Sequence, residues 1–221
     1  MAHVVPRRSC RDARGKERPN EDPRGVLEAR KRALEADLRE RYPTAESLTS
    51  SPRIRAYSAY FSRHGKTYPV LLQVQSLALK GKLLPAVSPL VDTMFMAELK
   101  NLLLTAGHDL DTIIPPVVLD VSRGGETYVR LNGQEQVLKP GDMFMRDQGG
   151  VLSSVLYGPD FRSRITPSTR NVLFVVYAPP GIGAEAVREH LEEIARGVKQ
   201  LAPRAGAERP LLYQASERCE M

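Results

Sequence analysis

Proton-transfer chemistry in this chain has one evident host. Of the four histidines, His3, His64, His108 and His190, His108 is the nearest available base, and Asp109 and Asp111 follow it closely enough to orient it. An imidazole titrates near pH ~6.5, so at neutral pH part of it is free to accept a proton from water. The competing reading is local: a histidine between Gly107 and Asp109 can simply hydrogen-bond a turn, and aspartates beside a strand start commonly cap one. Glu98 lies in an otherwise apolar run, so it either occupies an exposed edge or is aimed into a pocket. Asp92 stands in the first turn of the same run, where the positive end of the helix dipole stabilises a carboxylate, and a structural role is expected.

Other chemistries find no support. There is no glycine-rich phosphate loop, HExxH pair or zinc-type Cys/His cluster, so neither a metal nor a cofactor is expected. Ser50-Ser51 and Ser153-Ser154 lack the flanking glycines of a hydrolase nucleophile elbow. Cys10 and Cys219 stand near opposite ends of the sequence, without metal or disulfide spacing, as unpaired thiols of a cytoplasmic protein do. The opening MAHVVPRRSCRDARG is too polar for a signal peptide, and runs such as YPVLLQVQSLAL are too short to span a bilayer.

The charge is permissive rather than diagnostic. The formal net charge is +6 over 221 residues, but residues 1–19 carry six cations against Asp12 and Glu17, which is four of those six charges. Such a tail can grip nucleic-acid phosphates or merely solubilise. Arg63, Lys80 and Lys82, at the ends of expected helices, could contact phosphates or stand as ordinary solvated cations. With 42% hydrophobic, 26% charged and 6% aromatic residues, the composition excludes disordered, collagen-like and disulfide-scaffold classes.

Elements that would position these groups follow from periodicity. Residues 1–23 read as a disordered basic tail, residues 24–202 as one domain, and residues 203–221 as a C-terminal tail. Leu27, Leu34 and Leu38 share a face of a helix over 26–42, which Pro43 ends. Ser51-Pro52 and Ser88-Pro89 open helices over 51–65 and 88–104, and a further helix covers 67–79. The helix from Ser88 is apolar nearly all round and is expected to be buried. From Pro115 to Tyr177 the chain turns to short β-branched segments punctuated by turn residues: VVLDV, ETYVRL, EQVL, DMFMRD, GVLSSVLY and NVLFVVYA. Asn132-Gly133 is the strongest hairpin signal among them. Val187, Leu191, Ile194, Val198 and Leu201 then form one apolar helical stripe. Helices, a run of mostly antiparallel strands and a closing helix define an α+β domain.

Residues 90–113, LVDTMFMAELKNLLLTAGHDLDTI, carry a resemblance: an LVD entry, a helix, and a DLD turn into the sheet. GGETYVRLNGQEQVLKPGDMFMRD and SRITPSTRNVLFV follow in matching order and separation. Over roughly residues 55–200 the chain resembles the editing domain of the phenylalanyl-tRNA synthetase beta subunit, and it is read as that domain standing alone. The resemblance implies hydrolysis of the ester that joins a wrong amino acid to the terminal ribose of a tRNA, a second sieve that pocket binding alone cannot supply.

It also implies a site, with departures. The family's pocket asparagine aligns with Phe95, its turn histidine with Ala106 two residues before His108, and the glutamate that reads a tyrosine hydroxyl with Val175. The implied pocket is Phe95, Glu98, Ala106, Asp109, Ser154, Gly158 and Val175, with His108 nearest to serve as base and Arg63, Lys80 and Lys82 toward the tRNA. Without the hydroxyl reader the misacylated residue is expected not to be tyrosine. The alternative is an inactive module on the same fold that binds tRNA or senses an amino acid.

Overall fold

Proline opens three of the helices. Pro52, Pro69 and Pro89 each sit in a first helical turn, where the missing N–H costs no hydrogen bond and the fixed φ suits the helix. The computed structural model describes residues 25–213 and the backbone of residues 2–4. Among these the helices are α1 (Val26–Arg41), α2 (Ala45–Thr49), α3 (Pro52–Ser62), α4 (Pro69–Ala78), α5 (Pro89–Asn101) and α6 (Ala184–Leu201). The strands are β1 (Ala2–Val4), β2 (Thr105–Asp109), β3 (Val118–Val121), β4 (Thr127–Val129), β5 (Glu135–Val137), β6 (Met143–Asp147), β7 (Gly150–Ser154), β8 (Gly158–Pro159), β9 (Val172–Val176) and β10 (Leu211–Leu212).

The expected α+β order holds. One sheet runs β10-β1-β9-β2, a second β3-β6-β7-β8, and β4 and β5 form a separate hairpin. Every strand pairing is antiparallel. The Asn132-Gly133 turn closes that hairpin, with Gly133 at φ 80, a conformation in which a side chain is strained. The stripe of α6 buries Val187, Leu191, Ile194 and Val198 on the first sheet and on α5, and so closes the domain as expected. Gly197 permits the approach to α5, because a Cβ there would lie 2.5 Å from Thr93 Cγ2.

Charge enters the core where leucine spacing gave no hint of it. Lys31 and Glu35 share the buried face of α1 with Leu27, Leu34 and Leu38. Lys31 Nζ lies 2.7 Å from Asp92, and Glu35 accepts from the N–H of Leu84 at 2.7 Å. Burial works against the ammonium of Lys31, but its bond and attraction to Asp92 prevail and raise its pKa. Asp92 also accepts from the N–H of Val87, so its role is structural, tying α1 to the entry of α5.

Three local expectations change. The five-residue α2 had no periodic signal; it forms because Thr44 and Ser47 cap it reciprocally. The TAGHD segment, expected as a turn, is strand β2, because β9 offers it a ladder five residues long, from Thr105↔Val176 to Asp109↔Val172. Finally, both expected tails contribute to the first sheet: β1 pairs with β9, β10 pairs with β1, and Ala205 is buried. Residues 5–24 and 214–221, with Cys10 and Cys219, lie outside the described residues.

Candidate functional site where two sheets meet

Alternation along β2 sorts its side chains onto two faces. The face of Thr105 and Gly107 looks toward helices: Thr105 Oγ1 lies 2.8 Å from His190 Nε2 of α6, and a Cβ on Gly107 would meet Met94 of α5 and Ile165. Ala106 and His108 therefore face the other way. Ala106 is paired with Val175, both are buried, and the two side chains share that face. Opposite them β2 packs on β8, where Gly158 is paired with Ser154 of β7. The pairs Ala106–Val175 and Ser154–Gly158 thus lie on strands that pack together, but the Ser154 side chain turns away to Asp142, and it is Ser153 that meets the Tyr177 hydroxyl on the side of Val175.

Phe95 and Glu98 do not join them, because α5 covers the opposite face of β2. Phe95 is half-buried against the main core. Glu98, buried rather than at an exposed edge, accepts from the N–H of Thr105 at 2.7 Å. Burial outweighs that bond and pushes the carboxyl up to about 8, so at neutral pH it is largely protonated.

His108 is wholly buried in β2 instead of lying on a turn. Its Nδ1 is 2.6 Å from Ser163 Oγ, and the Ser163 hydroxyl donates to Asp160 Oδ1. With that proton committed, Ser163 accepts from Nδ1–H, which leaves the lone pair on Nε2, a nitrogen without a hydrogen-bond partner among the described residues. Burial first, then the charge of Arg162, lowers its pKa to about 3 against the attraction of Asp147. The imidazole is neutral, oriented and sealed.

The expected orienting acids are engaged elsewhere. Asp109 accepts from the N–H of Asp111, capping a short helical turn, and from the hydroxyl of Thr169 at 2.6 Å. Asp111 holds the amide of Asn171. The group that does orient His108, Asp160 through Ser163, stands some fifty residues further along the chain, and no local spacing pointed to it.

At the Ser154 end, Asp142 is the hub. It accepts from the hydroxyls of Ser154 and Tyr60 and from the N–H of Leu156, yet burial exceeds the effect of these bonds and raises its pKa. The hydroxyl proton of Ser154 is therefore committed to Asp142. The carbonyl of Gly158, held at φ 83, accepts from the Tyr128 hydroxyl at 2.8 Å. Of the expected phosphate contacts, Arg63 lies over the ring of Tyr60, while Lys82 follows α4 with its carbonyl held by Arg39 of α1. Lys80 shares that exposed segment.

These features define an α+β domain whose candidate site lies between a strand pair bearing Ala106 and Val175 and a second antiparallel sheet. The chain belongs to the B3/4 domain family of the phenylalanyl-tRNA synthetase beta subunit, whose profile matches residues 54–209. It is 29% identical over 112 residues to the phenylalanine–tRNA ligase beta subunit of Mycoplasma pneumoniae, covering 51% of this chain and 13% of that protein. With the corresponding subunit of Mycoplasma genitalium it shares 30% identity over 69 residues, 31% of this chain and 9% of that one. The chain thus matches only a small part of these relatives. A crystal structure of an N-terminal fragment of the phenylalanyl-tRNA synthetase beta subunit from Pyrococcus horikoshii overlaps 56% of this chain and 43% of its own, with a TM-score of 0.48 and 18% identity. Among the described residues, no helix is long and apolar enough to cross a membrane.

Proposed function

We propose that this chain hydrolyses, in trans and in the cytoplasm, the ester of a misacylated tRNA whose amino acid is not tyrosine. The observation that carries this reading is the buried Ala106–Val175 pair in a member of the B3/4 family. A wall that hydrogen-bonds a substrate hydroxyl discriminates by about 10⁴ to 10⁵, whereas an apolar wall discriminates by roughly 10- to 200-fold per methylene. Val175 offers no acceptor, so selection rests on size and apolarity. In the reaction, water adds to the ester carbonyl and the ribose oxygen leaves with a proton. His108 has no exposed surface from which to take the water's proton, so orientation of that water falls to the neighbouring ribose hydroxyl of the substrate.

A second reading, a module that binds tRNA or senses an amino acid without turnover, is favoured by two of the same facts: His108 is sealed, and the Ser154 hydroxyl is committed to Asp142. Deacylation of tRNAs carrying residues from alanine to tyrosine separates the two. Turnover of an apolar aminoacyl ester at least about tenfold faster than the tyrosyl ester is expected. Preference for tyrosyl-tRNA would sink the argument from Val175, and salt-sensitive tRNA binding with no turnover on any ester would establish the second reading.

A further inference from the structure

Beside the candidate site, three cations from distant parts of the chain converge. Lys66 lies in the loop between α3 and α4, Arg130 at the end of β4, and Lys139 after β5. The ammonium of Lys66 stands 4.3 Å above the ring centroid of Tyr157, the residue preceding Gly158 of β8. Lys139 Nζ donates to the carbonyl of His64 at 2.9 Å, which ties it to the loop that carries Lys66. The backbone of Arg130 pairs with that of Asp160 at the exit of β8; its guanidinium donates through Nη2 to Gln134 Oε1 at 3.0 Å, while its buried Nε has no hydrogen-bond partner among the described residues.

We propose that Lys66, Arg130 and Lys139 form a clamp for the sugar–phosphate backbone of an RNA, with the half-exposed ring of Tyr157 beneath it. This rests on the tRNA reading above and adds phosphate contacts to those expected of Arg63, Lys80 and Lys82.

Electrostatics supports the geometry. Among the described residues none of the three cations has a carboxylate within ion-pair distance, as is also true of exposed Lys80, Lys82 and Lys199, whereas Lys100 meets Glu193. The acid that acts on Lys66 is Asp142, which is buried and already accepts from Ser154, Tyr60 and Leu156. The ammonium of Lys66 is disfavoured first by burial, then by the charges of Lys139 and Arg130, with only the buried Asp142 acting against them. An anion seated among them would relieve that repulsion. Lysines as mobile point charges and an arginine fork suit phosphate oxygens, and an aromatic face beside them suits a ribose or base of single-stranded RNA. Since Tyr157 adjoins Gly158, the strand held here would lead to the line between Ala106, Val175 and Gly158.

The test uses the full chain with uncharged tRNA over a series of KCl concentrations. A triple variant, Lys66→Gln, Arg130→Gln and Lys139→Gln, is compared with one that removes the same charge on α6, Arg188→Gln, Arg196→Gln and Lys199→Gln. The clamp variant is expected to bind about tenfold more weakly or worse and to lose about two units of salt slope, while its thermal melt and the α6 variant's binding stay near wild type. Equal binding by clamp variant and wild type would overturn the clamp, as would equal weakening by both variants, which marks unspecific charge. Titration with inorganic phosphate and adenosine monophosphate separates the sources: binding of these with none of tRNA would refute the RNA backbone as the occupant. Ester turnover that survives intact in the clamp variant removes the clamp while leaving the hydrolase reading in place.

Discussion

The N–H of Thr105 donates to Glu98 Oε2 across 2.7 Å, so a buried carboxyl joins the last turns of α5 to the first residue of β2. Between them Leu102 takes a left-handed conformation, φ 56, of the kind helix ends usually give to glycine; its side chain is buried. The strand that carries Ala106 and His108 is therefore anchored where it begins.

That anchor makes stability depend on pH. The Glu98 carboxyl is raised from 4.5 to about 8 by burial, so its contribution is fully present below pH 4.5 and is lost as pH rises through 8. Glu98→Gln keeps the acceptor for Thr105 and cannot ionise. Urea unfolding of this variant should match wild type near pH 4.5 and exceed it by pH 8, the gap growing by roughly 1 kcal/mol per pH unit at its steepest. A constant gap would show that Glu98 is not held protonated.

His108 titrates in the opposite sense. Its pKa is lowered to about 3, so the stability it contributes is present above its ordinary 6.5 and is lost as pH falls toward 3. His108→Asn should flatten that acid limb and cost about 1–3 kcal/mol at pH 7, through an unsatisfied Ser163 and lost packing. Any deacylase activity should fall only a fewfold and show no inflection between pH 5 and 7. A loss of a hundredfold or more in a folded variant would restore His108 as the catalytic base.

Gly197→Ala reverses a familiar rule. Alanine in a helix interior is ordinarily better than glycine by about 1 kcal/mol. Here the new Cβ would stand 2.5 Å from Thr93 Cγ2, with the guanidinium of Arg30 near it, so α5 and α6 must part. Thermal melting should show destabilisation of about 1–3 kcal/mol. Pairing it with Thr93→Ser, which removes that methyl, should recover part of the loss.

Much of the fold was legible because periodicity is local. The five longer helices and the six strand segments between Pro115 and Tyr177 lie within a few residues of their expected places, since apolar spacing, N-terminal prolines and the Asn132-Gly133 turn act over one or two turns of chain. The family was legible for the same reason, from ordered segments read one after another.

The site was legible only in part. Ala106 and Val175 are paired across β2 and β9, and Ser154 and Gly158 across β7 and β8, yet the Ser154 hydroxyl turns to Asp142, Phe95 and Glu98 fall on the far side of β2, and Asp109 serves a turn. Which face a strand residue takes depends on whether the segment is a strand at all, and TAGHD became one only when β9 lay beside it.

By itself the sequence determined the α+β class, the B3/4 family and the apolar character at Val175, properties carried by residue type and short spacing. Only the tertiary structure decided that His108 is sealed behind Ser163 and Asp160, that Lys31 meets Asp92, and that Lys139 is tied to the loop whose Lys66 stands over Tyr157. Protonation and charge pairing depend on burial and on distances between residues far apart in the chain, and those exist only once the two sheets and their helices have closed.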